Sequence, residues 1–290
     1  LLKALVTEEG LREEVSLMEE LDDLHEPTMC IKEAQEMAAA LYGADQAYFM
    51  INGTTGAIHT MLMGALRPGD AVLVPRNAHR SMIGGIILAG AQPVFLQPEV
   101  DERLGIAMGL TEEKIARAIA AHPEAKALAC VYPTYYGVTF DLARIAALVH
   151  APDMLLLVDE AHGPHLRFSE ALPPQAIDCG AYMAAQSTHK ILGAMTQASM
   201  LLVNGVRVDR VREAASLLQS TSPNQLLLAS LDIARLQMAE NGRETVGRAV
   251  RLAGRLRSAI NAIDGLWSFG PGYTCYPGAT GLDATKITVQ

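Results

Sequence analysis

Lys190 is the side chain around which chemistry could be built in this sequence. It ends the polar run Gln186-Ser187-Thr188-His189-Lys190, which separates the apolar stretches 181–185 and 191–195. The remaining lysines, at positions 3, 32, 114, 126 and 286, have charged or helix-surface neighbours along the chain, where a solvated ammonium is expected. An amine set between two apolar runs is expected in a partly desolvated pocket, and desolvation favours the neutral form of an amine. Only that form attacks a carbonyl carbon, so a Schiff-base nucleophile is one reading. The other is a lysine that caps a strand and snorkels to water.

Three more stretches carry polar residues directly after apolar runs. Asn52-Gly53-Thr54-Thr55-Gly56 places two hydroxyls between glycines at a helix start. Backbone amides and the positive end of the helix dipole could cradle a phosphate there; a plain Thr N-cap explains the same residues. Asp159-Glu160-Ala161-His162 closes another apolar run. A nucleotide-hydrolase reading, with these acids on magnesium, needs a P-loop lysine preceded by glycine, and no lysine here follows a glycine. His162 and His165 have a spacing that a metal would accept, but no second ligand cluster supports one. A carboxylate at a strand end can also hold a proton on a cationic partner, and Asp159 facing a pyridine nitrogen would do that. In Pro75-Arg76-Asn77-Ala78-His79-Arg80-Ser81, His79 opens a helix after a strand; its imidazole could stack on a flat ring or lie in a surface loop.

The backbone must deliver these residues to one place. Apolar runs at 47–51, 71–75, 93–96, 127–131 and 154–158 read as strands, with helical patterns at 55–66, 79–89, 112–121 and 142–149 between and after them. Two helical patterns precede them, an acidic one at 11–24 and one at 31–42 that Gly43 closes. Short apolar strands alternating with helices specify an α/β fold of three layers, α/β/α, around a mostly parallel sheet. Ligands in such folds sit beyond the carboxyl ends of the strands, where the polar stretches lie. Residues 286–290 also read as a strand.

The chain has 290 residues, enough for one large soluble domain and part of a second. A net charge of -9 lends no support to a nucleic acid or an anionic membrane as partner, both of which need a basic face. Cys30, Cys130, Cys179 and Cys275 form no CxxC pair, which argues against zinc and a disulfide framework; they read as buried thiols of a cytoplasmic protein. The most apolar window, 82–96, is broken by Gly84, Gly85, Gly90, Gln92 and Pro93, so it is no membrane span, and no signal-peptide pattern opens the chain. Because the sequence starts at Leu1 rather than Met, it is expected to be a fragment.

A phosphate cradle, a lone acid and a lysine are the three parts a pyridoxal phosphate enzyme needs. With these motifs the chain resembles the Orn/Lys/Arg decarboxylase family, a fold-type-I group of the aspartate-aminotransferase superfamily. The resemblance covers nearly the whole chain. Besides the motifs above it is carried by Leu21-Asp22-Asp23-Leu24-His25, Ile31-Lys32-Glu33-Ala34-Gln35, Pro133-Thr134-Tyr135-Tyr136-Gly137 and Ser220-Thr221-Ser222-Pro223. It implies that Lys190 forms the Schiff base and that Asp159 pairs with the pyridinium nitrogen. It also implies that His79 stacks over the ring, with Ala161 beneath. Thr54, Thr55 and Ser187 correspond to phosphate contacts. His189 is placed to act on the phosphate or on the substrate carbon, Thr134 could face the cofactor hydroxyl, and Ser222 reaches the phosphate of a neighbouring subunit in a homodimer or larger assembly.

The implied layout is a cofactor-binding major domain over 1–240 and the beginning of a small C-terminal domain over 241–290, with a basic helix at 243–260. The family's PGHKxG-type segment before the acidic helix, and the rest of its small domain, are expected to be absent or incomplete here. The implied activity is decarboxylation of lysine, ornithine or arginine to a polyamine and carbon dioxide. Two alternatives stand beside it: another fold-type-I reaction, aminotransfer or oxoamine synthesis, and a catalytically silent relative that only binds cofactor or a partner.

Overall fold

The computed structural model describes residues 8–12, 15, 21–205, 208–273 and 276–290. The chain begins with the short α1 (Glu8–Arg12) and continues through α2 (Cys30–Tyr42), β1 (Gln46–Met50), α3 (Gly53–Ala65), β2 (Ala71–Pro75), α4 (Arg80–Ala89) and β3 (Gln92–Leu96). A small hairpin, β4 (Val100–Asp101) with β5 (Ile106–Ala107), precedes α5 (Glu112–Ala121), β6 (Ala127–Val131), β7 (Val138–Thr139), α6 (Leu142–His150) and β8 (Leu155–Asp159). Then follow β9 (Met183–Gln186), the single-turn α7 (Thr188–Ile191), β10 (Ser199–Val203), α8 (Val208–Leu218), the long α9 (Gln225–Asn261) and β11 (Gly281–Leu282), which pairs with β7.

The main sheet has seven strands in the order β1-β10-β9-β8-β6-β2-β3, parallel except for β10, which runs against both neighbours. Side chains alternate across the pleat and feed two separate cores. Leu73, Leu128, Leu156, Ala184 and Leu202 meet α2, α5, α6 and α9 on one face. Val72, Val74, Ala129, Leu157 and Leu201 meet α3, α4 and α8 on the other. This is the expected three-layer α/β/α arrangement. The α3–α4 contact depends on glycine: a Cβ on Gly85 would lie 2.5 Å from Leu62 Cδ1, and one on Gly84 would lie 2.9 Å from His59 Nε2.

Several expectations change. Half of the helical pattern at 11–24 falls outside the described residues, and a helix cannot run through its end. Asp22 has φ 69°, and its carboxylate accepts the backbone N–H of Thr28 and Met29 at 2.8 Å and of Ile31 at 3.0 Å. Leu21–Leu24 therefore forms the cap of α2 rather than a helix of its own. Cys30, at the start of α2, is exposed, not buried; Cys130 and Cys179 are buried as expected, and Cys275 lies outside the described residues. Residues 286–290 are not a strand, because among them only Gln290 exchanges backbone hydrogen bonds with a distant segment, at Trp267. The basic helix expected at 243–260 is the second half of α9, which passes through 240–241 without a break. Among the described residues no helix is long and apolar enough to cross a membrane.

Candidate active site

The carboxyl ends of β1, β2, β6, β8 and β9 open onto one cavity of about 530 Å³. Because β10 runs the other way, its amino end lies at the same rim and adds Thr196 and Gln197. Thr54, Thr55, His79, Thr134, Asp159, Ala161, Ser187, His189 and Lys190 all line this cavity. Sequence positions from 54 to 190 are thus brought together by the topology. Ser222 is not among them; it is exposed, and its N–H donates to Ser220 Oγ at 3.1 Å.

At one end of the cavity the start of α3 meets the start of α7. Thr54 is buried, and its hydroxyl bonds both the Ser187 hydroxyl and Ser199 Oγ, the latter at 2.9 Å. The N-cap of α3 is Asn52, whose side chain donates to Leu218 O at 2.8 Å instead of capping the helix. The plain Thr-cap reading of this motif is therefore replaced by a cluster of three hydroxyls at a helix N-terminus. Gly53 takes φ 67°, and its N–H donates to Gln197 O at 2.9 Å. Those hydroxyls, with the exposed Thr55 beside them, are a donor set suited to a phosphate.

Asp159, the last residue of β8, is buried and accepts the Ala161 N–H at 3.1 Å. Burial pushes its carboxyl above the ordinary aspartate range, while the Ala161 N–H, His79 and Lys190 pull the other way. A cationic ring nitrogen in the cavity would relieve that cost, so the acid fits a pyridinium partner. His79 is exposed and caps α4: its Nδ1 accepts the Ser81 N–H at 3.3 Å and bonds the Ser81 hydroxyl at 2.7 Å. Accepting at Nδ1 puts the neutral ring's proton on Nε2. His189 has the opposite tautomer. Its Nδ1 lies 2.9 Å from Ala198 O, a carbonyl that can only accept, so Nδ1 donates and Nε2 carries the lone pair.

Lys190 corrects one expectation. It is exposed rather than desolvated, because the burial of 183–188 ends where the single turn of α7 lifts the next residues clear of β9. It lines both this cavity and a second one beside it. His162 and His165 diverge. His162 faces the cavity, edge-on to Tyr135 at 5.5 Å, and burial, then Lys190 and Lys286, pushes it down to about 4. His165 instead sits 3.1 Å from Asp283 Oδ2 in the interior.

Other residues of the site were not anticipated. Gln197 and Thr196 precede a strand that sequence patterning does not single out. Tyr135 and Tyr136 sit in the motif that drew notice only for Thr134, and their aromatic rings after a strand end were the available signal. Lys286, expected to be a surface lysine, is half buried beside the cavity.

A sequence profile of the Orn/Lys/Arg decarboxylase major domain matches residues 3–274. The chain belongs to the Orn/Lys/Arg decarboxylase family. It is 47% identical over 272 residues to an arginine decarboxylase of Halalkalibacterium halodurans, covering 93% of this chain and 55% of that one. It is 42% identical over 290 residues to an arginine decarboxylase of Bacillus subtilis, covering 99% of this chain and 59% of the relative. This member of the family thus spans a little over half the length of those curated relatives. The Escherichia coli constitutive lysine decarboxylase structure superimposes with a TM-score of 0.83 at 25% identity, covering 99% of this chain and 46% of that one. The Bacillus subtilis ureidoglycine-glyoxylate aminotransferase, with a TM-score of 0.67 at 19% identity over 83% of this chain and 65% of its own, shares the fold.

Proposed function

We propose that this chain carries the cofactor-binding part of a pyridoxal 5'-phosphate-dependent decarboxylase of a basic amino acid. The observation behind this is the meeting of Thr54, Asp159 and Lys190 on one cavity, in a chain 42–47% identical to arginine decarboxylases. Thr54, Thr55 and Ser187 hold the phosphate at the positive end of α3. Asp159 keeps the ring nitrogen protonated by a fixed charge in a dry setting. His79 and Ala161 hold the two faces of the ring, Thr134 faces its hydroxyl, and Lys190 is the amine that anchors the cofactor covalently. When bound, the cofactor supplies an electron sink for the pair left behind as carbon dioxide departs.

The remaining task falls to a proton donor, since decarboxylation takes up one proton at the α carbon. His189 Nε2 and Lys190 Nζ are the candidate donors; because the Nδ1–H bond to Ala198 O leaves the His189 lone pair on Nε2, that nitrogen must first take up the proton it delivers. The same proposal includes the division into a major domain over 1–240 and the start of a small domain over 241–290. It also includes a cytoplasmic homodimer or larger homo-oligomer in which Ser222 reaches the neighbouring phosphate. The full-length gene product should release carbon dioxide and the matching amine from arginine, or else from lysine or ornithine. Keto acid in place of carbon dioxide would replace this proposal with aminotransfer, and cofactor binding without turnover would replace it with a silent relative.

A further inference from the structure

Tyr135, Tyr136, His162 and Lys190 of the cofactor cavity also line a second, outer chamber of about 590 Å³, which Lys286 and residues 287–289 complete. Among the described residues lining the two cavities Asp159 is the one acid, and it lines the cofactor cavity alone. The outer chamber therefore offers two lysines and no carboxylate of its own.

Lys286 is held there by dedicated contacts. Arg257, buried near the end of α9, donates from Nη2 to Lys286 O at 2.7 Å and Ala284 O at 3.2 Å, and from Nε to Phe269 O at 2.8 Å. Asp283 Oδ1 accepts the Thr285 hydroxyl at 2.7 Å and the Thr285 N–H at 3.0 Å, and His165 Nε2 lies 3.1 Å from its Oδ2. The Asp283 N–H donates to Gly137 O at 2.8 Å. Gly137 leaves room for the lysine stem: with φ 84°, it would place a Cβ 2.8 Å from Lys286 Cγ. So much fixing of one exposed-end turn is more than a solvated surface lysine requires. Burial, with Lys190 acting in the same direction, holds the Lys286 amine below the ordinary lysine range, while Asp283 opposes them; an incoming anion would favour the protonated form.

We propose that Lys286 is a substrate-binding residue that captures the α-carboxylate of the amino acid in this outer chamber. The inference rests on the decarboxylase function proposed above. A cation beside the carboxylate stabilises the bound amino acid more than the transition state, in which that negative charge is leaving. Its contribution therefore appears in binding and not in turnover.

The test uses the full-length holoenzyme and two ligands, arginine and its decarboxylated amine, titrated against the visible absorbance of the bound cofactor. Lys286→Met should weaken arginine about 10-fold or more and leave the amine, which lacks the carboxylate, unchanged. In turnover the KM should rise by the same factor while kcat holds or increases, and Lys286→Arg should recover most of the loss. Equal weakening of both ligands, or an unchanged KM, overturns the proposal. Because the titration reads binding, it decides the role of Lys286 even if no carbon dioxide is released, the outcome that would overturn the decarboxylase reading instead.

Discussion

Glu160 ties the stability of the fold to pH. Its carboxyl is fully buried one residue past the strand end that carries Asp159, and its two oxygens accept the Ala176 N–H at 2.6 Å and Gln186 Nε2 at 2.8 Å. Burial pushes the group up to about 8, from an ordinary 4.5, against the pull of those two hydrogen bonds. The folded chain therefore keeps a proton on Glu160 that the unfolded chain releases above about pH 4.5. The associated stability is complete below that pH and is lost as pH rises through about 8, at ~1.4 kcal/mol per pH unit and up to ~5 kcal/mol in all. Glu160→Gln removes this titration. The new amide is neutral at every pH, and Gln186, whose Oε1 has no hydrogen-bond partner, can turn its side chain over to accept from it. Urea denaturation of both proteins at pH 5, 6, 7 and 8 measures the difference. The variant's advantage should grow by ~1.4 kcal/mol per pH unit across that range and level off above it. A difference that stays constant from pH 5 to 8 would mean that Glu160 is ionised in the folded chain, which refutes the reasoning.

Four further outcomes are expected. Lys190→Ala should abolish both the visible absorbance of lysine-bound cofactor and carbon dioxide release. Asp159→Asn should leave cofactor bound and slow release by about 100-fold or more, as loss of a fixed charge in a dry site does. Thr54→Val takes a hydrogen-bond partner from Ser187 and Ser199; cofactor affinity measured by equilibrium dialysis should fall about 10-fold, as for one lost hydrogen bond. Gly85→Val forces α4 away from Leu62 and should cost about 1–3 kcal/mol in urea denaturation, as overpacking does.

The sheet was legible because its parallel strands are short, continuously apolar runs bounded by helices. The ranges 71–75 and 127–131 coincide with β2 and β6, and the others are displaced by about one residue. The antiparallel β10 was not singled out, since an apolar run beyond Lys190 gives no clue to its direction, and direction is what brings Gln197 to the site. The hairpin of β4 and β5 has two residues per strand, too few for any periodicity. Burial was the least legible property. Lys190 lies between apolar runs and is exposed, whereas Lys286 has ordinary neighbours in sequence and is half buried. What surrounds each amine is set by segments distant in sequence, such as Gly137 beneath Lys286 and Tyr135 and His162 beside Lys190, and linear neighbours carry no record of them.

The uninterrupted α9 gives the outer chamber a mechanical property. It is embedded in the core from Leu228 to Val246, while Arg257, near its other end, grips the backbone that carries Lys286. From Val246 to Arg257 the helix axis advances ~16 Å at ~1.5 Å per residue. A rigid arm of that length converts a tilt of ~7° at the embedded part into a displacement of ~2 Å at the gripping end, enough to make or break a hydrogen bond. Whatever packs against the exposed side of α9 thus has leverage over the position of one amine at the mouth of the site.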